Sequence, residues 1–288
     1  MKRILALCLT LLLAACAACA EEQIIIDKTR GENADFAFAE DAGLLEVYFP
    51  KIYGCDAALV RCGEYTMLID CGGTQWREVR SLLESLNVTG LTYALNSHPD
   101  RDHIGGFDHV LKTIPAGEFL LGFPEDYPDG DGVRFEVYDA LHEMGVPIRR
   151  VHSGDTIEFG DARVTVYQRT DEELPRVNNK SVLLMIEYGE RRIFFAGDIQ
   201  AATQTLLAED DALDLNADIL KYPHHGYKAL QESFIGKLSP GLVICTCGQI
   251  DTDGLIQMKQ LGIPSLLAVH GRLRLATDGS VWTVERIQ

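Results

Sequence analysis

Short apolar stretches, each closed by a glycine or a polar cluster, recur along most of this chain. "LLEVYFPKIYGCDAALVRCGEYTMLIDCGG", Leu44 to Gly73, reads as strands with turns at Tyr53-Gly54 and Gly63-Glu64. Helical spacing of Trp76, Val79, Leu82, Leu83 and Leu86 then predicts a helix ended by Asn87. "LTYALNS", Leu91 to Ser97, has the form of a buried strand bounded by Gly90 and a polar cluster. One helix is expected to start at Phe107 and another to run from Arg134 to Met144. "DTIEFGDARVTVYQ" alternates on both sides of Gly160-Asp161 and predicts a hairpin. A second hairpin, "SVLLMIEYGERRIFFAGD", turns at Gly189-Glu190.

From there helix and strand alternate. Helices are expected over Ala201–Glu209, Lys228–Ile235 and Gly254–Leu261, with strands over Asp218–Tyr222 and Leu242–Cys247. Two late strands, Ser265–Val269 and Val281–Arg286, finish the chain. Hairpins first and alternation later point to one domain of two packed sheets with helices outside. No repeat of 20–50 residues and no low-complexity tract interrupts it.

The N-terminus changes the picture. Lys2-Arg3, an apolar run from Ile4 to Leu13 and small residues after it form an export signal over residues 1–20. The run is too short to span a bilayer as a helix. Two processing outcomes fit it. "LAAC", Leu13 to Cys16, looks like a lipobox, which would make Cys16 a lipidated first residue and the protein's one link to a membrane. "ACA", Ala18 to Ala20, would instead suit cleavage before Glu21. Either way the mature protein is expected to be exported, as a membrane-anchored lipoprotein or a secreted protein. Residues 21–43 read as an N-terminal arm, polar and patternless over 27–42, and 44–288 as the folded domain.

Charge narrows the partners. With 26 Lys+Arg against 43 Asp+Glu the net charge is −17, and losing Lys2 and Arg3 takes it to −17 − 2 = −19. Such a surface repels phosphate backbones, and Arg149-Arg150 and Arg191-Arg192 are isolated pairs, so nucleic-acid binding is disfavoured. Outside the leader stand Cys55, Cys62, Cys71, Cys245 and Cys247, an odd number without zinc-ribbon spacing. Buried free thiols are expected, with Cys245 and Cys247 on one face of a strand.

The chemistry concentrates in "SHPDRDHIGG", Ser97 to Gly106, directly after the buried strand. His98, Asp100, Asp102 and His103 fall within six residues, and nitrogen with carboxylate oxygen suits Zn²⁺, Mn²⁺ or Fe²⁺ better than Mg²⁺ or Ca²⁺. Gly105-Gly106 allows a tight turn beneath them. Asp198 ends the apolar "RRIFFAGD", and His224 and His225 end "DILKYPHHG". A lone Asp after a strand often only caps a helix. Here three strands deliver His or Asp at the same end, where open α/β sheets place their chemistry. His109, His142, His152 and His270 lack such company and read as structural or surface histidines.

"SHPDRDHIGG", "FFAGD" and "LKYPHHG" resemble the metallo-β-lactamase superfamily, and specifically the hydrolase domain of the ComEC/Rec2 DNA-uptake proteins. The resemblance runs from about Leu44 to Arg286. "GCDAALVRCGEYTMLIDCGG" is similar to that group's opening hairpin, "NNKSVLLMIEYGERRIFFAGDI" to its strand pair and Gly-Asp turn, and "ATDGSVWTV" to its closing hairpin. The fold it implies is a four-layer αββα sandwich of the α+β type, with one or two Zn²⁺ or Mn²⁺ ions between the sheet ends. Carried over by position, His98 and Asp100 would hold a first ion; Asp102, His103 and His225 a second; Asp198 would bridge them. No histidine lies between Val166 and Ser181, where most relatives place the third ligand of the first site; Asn178 or Asn179 stands there instead. An amide is a poor zinc ligand, which implies a weak, Mn²⁺-preferring or empty first site.

His224 is then a candidate for contacting substrate or supporting a ligand. Cys55 stands where relatives have Gly, Tyr227 where they have a small Ser, and "CGQIDTDGLIQM" lacks the His and Pro of a later family segment. The implied mechanism is hydrolysis by a metal-bound hydroxide with its pKa lowered to about 7, oriented by Asp102 or Asp198. The expected function is an exported metal-dependent hydrolase, a phosphodiesterase acting on a small-molecule or wall-polymer ester. An extracellular nuclease of the ComEC type and a non-catalytic metal-binding surface lipoprotein are the alternatives. A β-lactamase role fits least, because the histidine-rich first site is missing.

Overall fold

The computed structural model describes residues 24–26, 38–39, 42–128, 131–249 and 251–288. The expected leader over 1–20, its lipobox and its cleavage site lie outside the described residues, as does most of the expected arm. Nine strands form the first sheet, in the order β1 (Ile24–Ile26), β16 (Trp282–Ile287), β15 (Arg272–Thr277), β2 (Leu45–Phe49), β3 (Ala58–Cys62), β4 (Tyr65–Ile69), β5 (Leu91–Asn96), β6 (Ala116–Leu121), β7 (Ile148–Arg150). Seven form the second, in the order β14 (Ser265–Leu267), β13 (Leu242–Cys245), β12 (Ile219–Lys221), β11 (Arg191–Phe195), β10 (Leu183–Tyr188), β9 (Ala162–Tyr167), β8 (Thr156–Phe159).

Strand alternation explains the layering. Val60 of β3 faces the central core with Val47, Phe49, Met67 and Ile69, while its neighbour Leu59 faces the outer layer. The second sheet contributes Val164, Leu184, Ile186, Ile193 and Phe195 to the same core, and the Phe49 and Phe195 rings lie 6.2 Å apart across the two sheets. Helices α1 (Trp76–Ser85), α2 (Arg101–Ile104), α3 (Phe107–Val110) and α4 (Val133–Met144) cover the first sheet through Leu68, Ala94 and Phe119. Helices α5 (Ala201–Glu209), α6 (Glu232–Leu238) and α7 (Asp253–Leu261) cover the second through Met185, Leu220 and Val243. The four-layer αββα order is therefore as expected. No helix among the described residues is long and apolar enough to cross a membrane.

Each sheet has a parallel half. β4, β5, β6 and β7 run parallel in the first, and β11, β12, β13 and β14 in the second. Asp70, Ser97, Tyr222 and Thr246 follow directly on the carboxyl ends of β4, β5, β12 and β13, and Asp198 stands three residues past the end of β11. That common edge is where the candidate chemistry gathers.

The structure corrects several sequence expectations. β6 and β7 have no predicted counterpart, and β15 only as the first arm of the closing hairpin: Gly117-Glu118 breaks the apolar run of β6, and β7 is half-exposed. Within the expected arm, Ile24–Ile26 pairs in parallel with β16, a tertiary contact that local pattern does not announce. The helix expected from Lys228 begins only at Glu232. Gln257 explains the delay, because its amide accepts from the Leu230 N–H at 2.8 Å and donates to the Leu230 carbonyl at 2.9 Å, holding that segment out of the helix.

The turn after α2 tolerates no side chain at Gly106. A Cβ there would stand 1.9 Å from the Cys71 carbonyl oxygen and 2.8 Å from Trp76 Cβ. Gly106→Ala is expected to lower stability by about 3 kcal/mol or more, measured by urea unfolding. A loss within the roughly 0.5 kcal/mol of an ordinary surface change would contradict this packing.

Candidate metal centre

Three segments of chain meet at the shared sheet edge. After β5 the backbone bends over Ser97, His98 and Pro99, is extended at Asp100, and α2 then carries Asp102 and His103. Asp198 follows β11 and is not the cap of α5, a position that Gln200 fills. His224 and His225 follow β12 with left-handed φ of 50° and 62°. Two successive non-glycine residues in that region cost on the order of 1–3 kcal/mol each and recur at functional sites.

Two donor sets result. In one, His103 Nε2 lies 3.3 Å from Asp198 Oδ1 and 3.9 Å from Asp102 Oδ2. His225 Nε2 lies 3.1 Å from Asp102 Oδ2 and 3.6 Å from Asp198 Oδ2. Tetrahedral bonds of about 2.0–2.2 Å put ligand atoms roughly 3.3–3.6 Å apart, so these four residues fit a zinc-sized ion. In the other set, His98 Nε2 lies 3.4 Å from Asp100 Oδ2 and 4.0 Å from Asp198 Oδ2. His224 Nε2 is 3.9 Å from that same Asp198 oxygen. Asn178 reaches this set by donating its amide to Asp100 Oδ2 at 3.3 Å, whereas Asn179 is spent on the Pro175 carbonyl and Thr203. All seven residues singled out from the sequence thus come together, with Asp198 touching both sets.

Hydrogen bonding points to cations. His98 Nε2, His103 Nε2 and Asp198 Oδ1 are buried without a hydrogen-bond partner, although buried polar groups are nearly always paired. Converging lone pairs on buried nitrogen and carboxylate oxygen are what a metal ion satisfies.

Two carboxylates absent from the expected site stand behind it. Asp70 Oδ2 accepts from His103 Nδ1 at 2.8 Å and from the Ser97 hydroxyl at 2.7 Å. Its Oδ1 accepts from the Ser97 N–H and the Asn96 amide. Asp56 does the same for His225, whose Nδ1 lies 3.1 Å from Asp56 Oδ1. A carboxylate can only accept, so each Nδ1 carries the proton and each Nε2 lone pair faces the donor set. Asp56 lies close enough to His103, Asp198 and His225 to count as a possible ligand itself. Its Oδ2, however, is taken by Lys221 and its Oδ1 by Thr246 and His225, so it supports His225 from behind. Both residues carried a readable signal, a carboxylate that closes an apolar run in "TMLID" and opens one in "DAALV".

Electrostatics agree. Burial would push Asp198 up, but the His103 and His225 imidazoles hold it well below the usual carboxylate range. Burial would push His225 down, yet the Asp198 and Asp56 carboxylates drive it up to about 9. His103 is likewise raised, by Asp198 and Asp70 against burial. His224 is lowered by burial. Among the described residues Cys55, Cys62, Cys71, Cys245 and Cys247 are buried and free, as expected.

Residues 51–246 match the model of the metallo-β-lactamase superfamily, and the chain belongs to that family. ComE operon protein 3 of Bacillus subtilis is 29% identical over 236 residues, which cover 74% of this chain and 29% of that protein. Competence protein ComA of Neisseria gonorrhoeae is 26% identical over 226 residues, covering 77% and 29%. The expected likeness to the ComEC group is borne out, with the chain spanning under a third of the length of these relatives. Among solved structures, a CmlA β-hydroxylase variant superposes with a TM-score of 0.56 at 15% identity, over 84% of this chain and 55% of that one, which shows the fold alone.

Metal uptake must displace the protons that His103 and His225 hold at neutral pH. Affinity is therefore expected to rise with pH until about 9, where His225 titrates, and proton release should appear in titration calorimetry as a dependence on buffer ionisation enthalpy. An affinity independent of pH between about pH 6 and 8 would contradict this ligand set.

Proposed function

We propose that this protein is a metal-dependent phosphodiesterase with two adjacent ion sites, acting outside the cytoplasm on a small-molecule or cell-surface ester. One observation carries the reading: the buried Asp198 carboxylate lies between two separate donor sets, one oxygen toward His103 and the other within 4.0 Å of His98, His224 and His225. Asp102, His103 and His225 would hold one ion, His98, Asp100 and His224 the other, and Asp198 both. His224 thereby takes the place of the histidine missing before Ser181, a role beyond the substrate contact expected from sequence. Ions there would polarise a phosphoryl oxygen and supply a hydroxide at neutral pH.

The chain's own part is orientation. Asp70 and Asp56 fix the tautomers of His103 and His225, and the half-exposed Asp102 and Asp100 open the centre to solvent. Asp102 also stands where it can accept a hydrogen bond from an incoming water, a position from which carboxylates orient nucleophiles. Zn²⁺ and Mn²⁺ both suit the mixed N and O donors. The net charge of −17 weighs against a nuclease acting on long polyanions. Two complete donor sets weigh against a purely structural protein. Export rests on Lys2-Arg3 and the apolar run after it, and a lipid anchor on Cys16.

Residues 21–288, with Mn²⁺ and with Zn²⁺, should hydrolyse bis-p-nitrophenyl phosphate. Asp198→Ala should cut turnover by at least about a hundredfold, since even supporting residues of metal sites can cost that much. A folded protein silent with both metals would rule the phosphodiesterase out. Asp102→Ala or His103→Ala should also lose metal from the set they form with His225 and Asp198, read as metal per protein after desalting; unchanged content would refute those assignments.

A further inference from the structure

We propose that Lys221 is a positioning residue of the metal centre: its ammonium, buried between the sheets, clamps the carboxylate that aims His225. The inference rests on the metal-site reading above and goes beyond it by assigning work to a residue that touches no candidate ligand.

Lys221 is 3% exposed, a rare state for lysine unless it is paired. It occupies an inward-facing position of β12. Ile219, two residues earlier, faces the central core, while Leu220 faces the outer layer. By that alternation the position calls for an apolar side chain. Phe49, Ile69, Leu184 and Phe195 line the small cavity that Lys221 also borders. An uncharged side chain of lysine's length would therefore suit the packing, and the charge needs another reason.

Asp56 supplies it. Lys221 Nζ lies 2.5 Å from Asp56 Oδ2 and donates to the Tyr222 carbonyl at 2.9 Å. Asp56 Oδ1 accepts from Thr246 Oγ1 and from His225 Nδ1. Thr246 Oγ1 itself lies 3.1 Å from that nitrogen. The Asp56 N–H donates to the Asp102 carbonyl at 3.1 Å, which ties the same residue to a second candidate ligand. Asp56 comes from the first sheet's side of the centre and Lys221 from the second. Their ion pair thus fixes how far apart the two sheet ends stand, and with it the distance from His225 Nε2 to Asp102 and Asp198. Removing the lysine would leave Asp56 with one oxygen free to turn, and the ring it holds would turn with it.

The test uses Lys221→Met and, because that variant leaves a buried carboxylate unpaired and can fail to fold, the double variant Asp56→Asn/Lys221→Met, which removes both charges. Metal-free unfolding temperature, Zn²⁺ affinity by chelator competition, and the visible absorption of the Co²⁺ form are measured beside the unaltered protein. The double variant is expected to keep a metal-free unfolding temperature close to the original while Lys221→Met lowers it, and both, where folded, should bind Zn²⁺ about 10–100-fold more weakly with a shifted Co²⁺ spectrum. Original affinity and an unchanged Co²⁺ spectrum in a folded variant would overturn the role of Lys221 and leave the metal centre standing. If the unaltered protein binds no Zn²⁺ or Co²⁺, the metal reading itself fails, and this inference with it.

Discussion

Everything at the sheet edge depends on a carboxylate that the apolar interior would not tolerate alone. Asp198 is 2% exposed, and an isolated ionised carboxylate at that depth costs several kcal/mol by a rough accounting. Four histidines lie within 4.0 Å of it. In the protein as described, imidazolium charge from His103 and His225 offsets that cost. Cations of higher charge would do so with less crowding, because one ion replaces several protons. The protons on His103 and His225 and a metal ion are alternatives for the same lone pairs, which makes the raised histidines a sign of a cation site as much as a property of the residues.

Supporting groups turn this attraction into a defined geometry. His103 and His225 each meet a carboxylate at Nδ1, and each of those carboxylates is held in turn, Asp70 by Ser97 and Asn96, Asp56 by Thr246 and Lys221. The anchors come from different sheets. Asp70 and Ser97 end parallel neighbours β4 and β5, whereas Asp56 and Lys221 face each other across the sandwich. The hydrophobic packing of Phe49 on Phe195 therefore bears on the site, since it sets the separation across which the second anchor forms.

How much of this could be read from the chain follows the same division between local and distant. His98, Asp100, Asp102 and His103 sit in one short segment, so their convergence needed only a turn, and that was legible. Asp198 and His225 were legible because each repeats the same motif, an apolar run ending in a candidate ligand. Asp56, Asp70 and Lys221 carry the same kind of mark, a charged residue at the end of a run or on its inward face, but their meaning depends on which strands become neighbours. Sequence spacing of 165 residues separates Lys221 from Asp56. His224 was legible as a member of the site and not as a candidate donor, because its reach depends on the left-handed backbone at residues 224 and 225. Short elements were lost for a plainer reason. β1 and β7 have three residues each, too few to show a period, and exist because a partner strand pairs with them.

The charge of the whole molecule bears on the chemistry proposed for its edge. A surface at −17 draws divalent cations toward a centre that needs them and raises the cost of bringing a long phosphate chain close. Both effects are screened beyond roughly 8–10 Å at physiological salt. Only the part of a substrate extending past that distance escapes the penalty, while every phosphate nearer than it is penalised. A single phosphodiester, neutralised locally by the ions that hold it, meets little of that barrier. A polymer presenting one such group at a time meets little more. Nucleic acid, with a charge at every step, meets it repeatedly. The acidic surface and the two donor sets thus favour the same kind of substrate for independent physical reasons.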